Sequence, residues 1–196
     1  MNRKKVIIIG ASGNIASKVI DMLVKNDSIE LTLFLRDISR LKNKMEDVKN
    51  CRIIESDVFK YDELKAAIAG QDMVYANLAG DLGAMAKNIV RAMDQTGVKK
   101  LIFICSIGIY DSPVKPMLVP YRQAADVIEA SKLDYTILRP TWFTDDDEVD
   151  YETTQKGEPE KGSVISKKSL AAFITKIIAE PEKYSRKSIG INKPGS

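Results

Sequence analysis

Histidine is absent from the 196 residues. That removes His-based triads, imidazole general bases and His metal ligands together. Cysteine occurs only as Cys51 and Cys105, which form no CxxC pair, no zinc quartet and no disulfide framework. Two buried thiols in a reducing compartment are the expectation. An excess of one charge is also lacking: 30 Lys and Arg stand against 27 Asp and Glu, a net charge of +3. The basic residues interleave with acidic ones, so no nucleic-acid contact is expected. Long apolar runs are missing too. The basic start, Met1-Asn2-Arg3-Lys4-Lys5, leads into an apolar run of only Val6 to Ile9. That is shorter than a signal-peptide core and far shorter than a membrane span. The expectation is a cytoplasmic protein without membrane contact. Asp145-Asp146-Asp147-Glu148 has no calcium-loop spacing. It reads as a solvated loop, and no metal is expected.

What is present is a soluble globular composition, 44% hydrophobic and 29% charged, in a chain long enough to bury a core without staples. Val6-Ile7-Ile8-Ile9 is β-branched throughout, the mark of a strand buried on both faces. Gly10 to Gly13 is a turn, and residues 14–26 carry Ile15, Val19, Ile20, Leu23 and Val24 on one helical face. Strands follow at Leu31 to Leu35, Arg52 to Glu55, Met73 to Ala76, Leu101 to Cys105 and Tyr135 to Leu138. Between them come a short helix that Ser39 can cap and helices over Tyr61 to Ala69, residues 83–96 and Tyr121 to Ser131. Strict strand–helix alternation predicts an α/β protein with a doubly wound parallel sheet. The chain reads as one domain, core 4–143 with a small extension over 144–196. The extension begins with a long polar loop over 144–162, followed by a helix from Ser169 to Ala179 and a short strand from Ser188 to Ile191.

The first turn carries the strongest chemical signal. Gly10-Ala11-Ser12-Gly13-Asn14-Ile15-Ala16 follows a buried strand and opens a helix, the context of a dinucleotide-binding loop. Gly10 permits the tight turn and Gly13 a close approach of the pyrophosphate. Ser12 lies between them, and amides near Asn14 and Ile15 face the phosphates, where the helix dipole favours negative charge. After the second strand stands Arg36, whose guanidinium can pair with a phosphate. NADP is therefore expected, with NAD kept open because Asp37 follows at once.

These motifs resemble those of the atypical short-chain dehydrogenases/reductases, in the compact NAD(P)-binding group similar to NmrA and the flavin/biliverdin reductases. The resemblance rests on the glycine loop, Arg36-Asp37, Ser56-Asp57-Val58, Asn77-Leu78-Ala79-Gly80, Ile104-Cys105-Ser106 and the run from Leu133 to Pro140. It implies a Rossmann fold. It places Asp57 and Val58 at the adenine, and Asn77 to Gly80 beside the ribose and pyrophosphate. Cys105 and Ser106 fall beside the nicotinamide, and Pro140, Thr141 and Trp142 near its carboxamide. Trp142-Phe143, next to the end of the sixth strand, is expected to wall a substrate pocket, the alternative being a cover for the sheet edge.

The resemblance also implies a Tyr acid with a Lys four residues later, which lowers the phenol pKa. Here Tyr121 is followed at that spacing by Ala125. Tyr110, four residues past Ser106 on the proline-rich loop, is a second phenol. Ser106, Tyr121 and Tyr110 are the catalytic candidates. Two functions stay open. One is an NAD(P)H-dependent oxidoreductase acting on a small quinone-, flavin- or carbonyl-like acceptor. The other is a non-catalytic NAD(P)-sensing module resembling NmrA. Sugar-nucleotide epimerisation is a weaker third. The partner expected is a small molecule, and nothing in the sequence specifies an oligomeric state.

Overall fold

The computed structural model describes residues 3–196, with the backbone alone for residues 42–44. Met1 and Asn2 of the basic start lie outside the described residues. Strands β1 (Lys4–Ile9), β2 (Ile29–Leu35), β3 (Arg52–Glu55), β4 (Met73–Ala76), β5 (Lys100–Ile104), β6 (Asp134–Pro140), β8 (Glu152–Gln155) and β10 (Lys187–Asn192) form one sheet. Its order is β3-β2-β1-β4-β5-β6-β10-β8. All neighbours run parallel except β8, which is antiparallel to β10. The order reverses between β1 and β4, and a crevice opens there at the carboxyl ends of the strands.

Helices cover both faces, as the unbroken apolar runs demand. Val6, Ile7, Ile8 and Ile9 are all fully buried. Ile8 packs in the core beneath α1 (Asn14–Leu23) and α5 (Lys167–Ala179). Ile7 and Ile9 pack on the opposite side with α2 (Tyr61–Ile68), α3 (Leu82–Thr96) and α4 (Val119–Glu129). Each such buried aliphatic side chain contributes about 1.5–3 kcal/mol. The α3 helix starts where Asp81 accepts from the Ala84 amide at 3.1 Å and stops at Gly97 in the left-handed region.

Several boundaries differ from the sequence reading. The first helix ends at Leu23, not at residue 26. α4 starts two residues early, because Pro120 is tolerated in a first turn. The short 3₁₀ helix Ile38–Lys44 is capped by Asp37, which accepts from the Ser39 amide at 2.9 Å; Ser39 itself is not the cap. Cys105 is buried, but Cys51 is only partly so.

The expected loop over 144–162 contains β8, and its start completes β7 (Trp142–Thr144), which pairs with β9 (Val164–Ser166). The β8 sequence is polar because it is an edge strand. Of its four residues only Thr154 is buried, opposite Gly190. A Cβ on Gly190 would lie 2.4 Å from the Thr154 hydroxyl, so that pairing requires glycine. The acidic run 145–148 is tied down by Lys167, Lys168 and Lys193, and Asp146 accepts from Thr144. Among the described residues no group of His, Cys, Asp and Glu has metal-site geometry. No helix among them is long and apolar enough to cross a membrane.

Candidate functional site

A cleft of about 750 Å³ lies over the β1/β4 crossing. Its floor is the glycine turn. The Gly10 and Ala11 amides both donate to the Phe34 carbonyl, at 2.9 and 3.2 Å, which ties the turn to β2. Gly10 has φ +84°, and a Cβ there would stand 2.1 Å from the Asn77 carbonyl oxygen. Glycine is thus required twice, for the turn and for the approach of β4. A Cβ on Gly13 would meet the Asn77 side-chain amide at 2.7 Å. The small residue at 13 therefore makes room for Asn77 as well as for anything entering the cleft. Gly13 also opens α1, and no side chain caps that helix. Its first amides line the cleft at Asn14 and Ile15, an arrangement suited to phosphate.

Gly10, Ser12, Gly13, Asn14, Ile15, Arg36, Asp57, Val58, Asn77, Leu78 and Ala79 all line this one cleft. Gly80 does not; it turns the chain into α3 with φ +112°. At the β2 end Arg36 is joined by Arg40, which the sequence reading did not single out. Asp57 accepts from the Phe59 amide at 2.8 Å through one oxygen. On the opposite wall stand Phe143 and Lys167, brought in by the β7–β9 ribbon. Lys167 is far from the glycine loop in sequence and carries no motif, so only the fold places it there.

Phe143 also lines a second cavity of about 560 Å³, at the ends of β5 and β6. Phe143 is thus shared by the walls of the two spaces. Ser106, Cys105, Tyr121, Pro140, Thr141 and Trp142 line the second cavity. The β5–β6 ladder continues past the strands, with the Ile107 amide donating to the Pro140 carbonyl at 3.1 Å. This sets Ser106 beside the Pro140–Thr141 segment. Cys105 faces the helix side, where its thiol donates to the Tyr121 carbonyl at 3.6 Å, and burial pushes its pKa up. Ala125, one turn beyond Tyr121, is fully buried and does not line the cavity. Sequence reasoning also missed Glu160, Asp111 and Lys115 on this wall. They sit on loops with no periodic pattern.

Tyr110 does not join them. Its hydroxyl donates to Glu129 at 2.7 Å and lies 3.0 Å from the Ser188 hydroxyl. Three cations pack over its ring, Lys156 at 4.3 Å, Arg139 at 5.3 Å and Arg122 at 5.4 Å from the centroid. Burial raises the phenol pKa. Tyr110 is a packing residue between α4 and β10, not a wall of either cavity.

Comparison with known proteins bears on the family and the fold. Residues 10–181 match the sequence profile of a family described as NAD(P)H-binding. A Rossmann-fold NAD(P)-binding family protein from Shigella flexneri superposes with a TM-score of 0.91 at 47% identity, over 100% of this chain and 96% of that one. A short-chain dehydrogenase/reductase from Veillonella parvula, solved in complex with NADP, gives a TM-score of 0.88 at 27% identity over 98% and 95%. The NmrA-like family domain-containing oxidoreductase himF of Aspergillus japonicus is 26% identical over 50% of this chain and 33% of its own length.

Proposed function

The chain belongs to the NAD(P)H-binding family, and from that premise we propose that it is an NADPH-dependent oxidoreductase for a small, flat acceptor such as a quinone. The observation that carries the reading is Phe143, a residue common to the walls of the glycine-loop cleft and the Ser106–Tyr121 cavity. A dinucleotide with its pyrophosphate at α1 would lie along the first and end in the second.

The residues divide the work. Arg36, with Arg40 nearby, would hold the 2′-phosphate and set the preference for NADPH. Amides at Asn14 and Ile15 and the ammonium of Lys167 would balance the pyrophosphate charge. Asp57 and Val58 would border the adenine. NADPH, when bound, supplies a hydride. Ser106 and Tyr121 would orient the acceptor against the nicotinamide, while Trp142 and Phe143 flank it and exclude water. With Ala125 closed beneath the helix, Tyr121 lacks the lysine that would make it a strong acid near neutral pH. A quinone suits such a site: it takes the hydride and draws one proton from water, giving hydroquinone and NADP⁺.

Single-turnover oxidation of NADPH, with a quinone, a flavin and an aldehyde compared, tests the reading. Quinone turnover well above aldehyde turnover is expected. The buried Ala125 also favours a second reading, a dinucleotide-sensing module that does not turn over. NADPH binding without oxidation by any acceptor would establish that one instead.

A further inference from the structure

The cavity between Ser106 and Trp142 carries three charged residues, Asp111, Lys115 and Glu160. Asp111 and Lys115 are exposed, of opposite sign, and screened by water. Glu160 is different. One of its oxygens accepts the Gly108 amide at 2.8 Å, and the other pairs with Nη1 of Arg139. Arg139, on β6, is only 2% exposed. Its Nε and Nη2 have no acceptor. Its face lies over the Tyr110 ring. This buried guanidinium is hydrogen-bonded to one carboxylate, and that carboxylate belongs to the cavity wall; Glu129 acts on it only through space. Removing one member of such a pair leaves an uncompensated charge.

The arrangement is a carboxylate site, a guanidinium plus a backbone amide, already filled by the chain itself. We propose that Glu160 sets the charge selectivity of the acceptor cavity. Engaging Nη1 of Arg139 and the Gly108 amide, it places its own carboxylate, and not the guanidinium, on the cavity wall and so repels an anionic acceptor. An uncharged flat acceptor meets the apolar surfaces of Leu118, Met117, Trp142 and Phe143 beside Ser106 and Tyr121 and escapes that repulsion. Without Glu160, Arg139 becomes a site for a carboxylate or sulfonate. This inference rests on the reading of the cavity as the acceptor pocket.

Trp142 is the only tryptophan in the chain, lines this cavity and is 71% exposed, so its fluorescence reports occupancy without turnover. Protein saturated with NADP⁺ would be titrated with naphthoquinone and with naphthoquinone sulfonate. The parent should bind the neutral quinone at least about tenfold more tightly. Glu160→Gln should tighten the sulfonate about tenfold and leave the neutral quinone within about twofold. Asp111→Asn should leave the preference unchanged. If Glu160→Gln does not fold, the parent in roughly 0.5 M salt decides. A preference set by the inner carboxylate survives there, and one set by exposed charge collapses and overturns the proposal. Equal affinities in the parent, or a parallel loss of both ligands in Glu160→Gln, overturn the role of Glu160 alone. Failure of both quinones to quench Trp142 overturns the acceptor-pocket reading beneath it.

Discussion

The carboxylate of Asp37 accepts from the amide of Ser39 at 2.9 Å, capping the 3₁₀ turn that follows β2. In sequence Asp37 was the argument for NAD, as the acceptor that a ribose diol needs. Asp37, Arg36 and Arg40 all line the cleft, and one Asp37 oxygen is engaged as a helix cap; on the NADPH reading proposed above, Arg36 and Arg40 would meet the 2′-phosphate.

The first prediction follows from that pair. Arg36→Ala should weaken NADPH by roughly 1.5–3 kcal/mol, the range for hydrogen bonds to charged groups, and leave NADH nearly unchanged. Fluorescence titration of both nucleotides checks it. Equal losses for the two would place Arg36 elsewhere than at the 2′-phosphate.

Lys167 calls for the opposite pattern. The β7–β9 register pairs Thr144 with Ser166, so the next residues, Asp145 and Lys167, come together in an ion pair of 2.7 Å. The hydrogen bond from Lys167 holds the Asp145 carboxyl below its usual pKa. Lys167→Gln should weaken NADPH and NADH alike, by about 1 kcal/mol given the exposure of the pair. Asp145→Asn, which removes the competing carboxylate, should strengthen both slightly. A loss confined to NADPH would move Lys167 to the adenosine end.

The two phenols should separate cleanly. Tyr110→Phe loses its bonds to Glu129 and Ser188 and should cost about 1–3 kcal/mol of stability. NADPH affinity should be unchanged, because Tyr110 lines neither cavity. Tyr121→Phe should lower the hydride-transfer rate by much less than the 10²–10⁴-fold typical of an acid–base residue. A thousandfold loss would make Tyr121 the proton donor after all.

Restoring the missing lysine should fail for a physical reason. Ala125 is fully buried among Ala124, Ile128 and the strands beneath α4. Ala125→Lys should therefore destabilise the fold by about 3 kcal/mol or more, the cost of an unpaired buried charge, without producing aldehyde reduction. Thermal melting together with an aldehyde assay decides this.

The sequence by itself determined the parallel sheet, because Val6 to Ile9, Leu31 to Leu35 and Leu101 to Ile104 are apolar on both faces and only a doubly covered sheet hides them. It also determined most of the glycine-loop cleft. Gly10 to Ile15, Arg36, Asp57 and Asn77 each sit within a residue or two of a strand's end, or in the turn that follows it, and parallel strands deliver their carboxyl ends to one edge. What only the tertiary structure decided comes from segments without periodicity. Edge strand β8 hides a single residue, Thr154, so it reads as a polar loop until Gly190 is seen opposite it. The placing of Lys167 and Glu160 and the turn of Tyr110 away from both cavities depend on which way a side chain points at a helix start or in a loop. That direction is set by partners distant in the chain, Asp145 for Lys167, Arg139 for Glu160, Glu129 and Ser188 for Tyr110. No local pattern encodes such pairings, because the desolvation and charge that enforce them exist only once the sheet has brought the partners together.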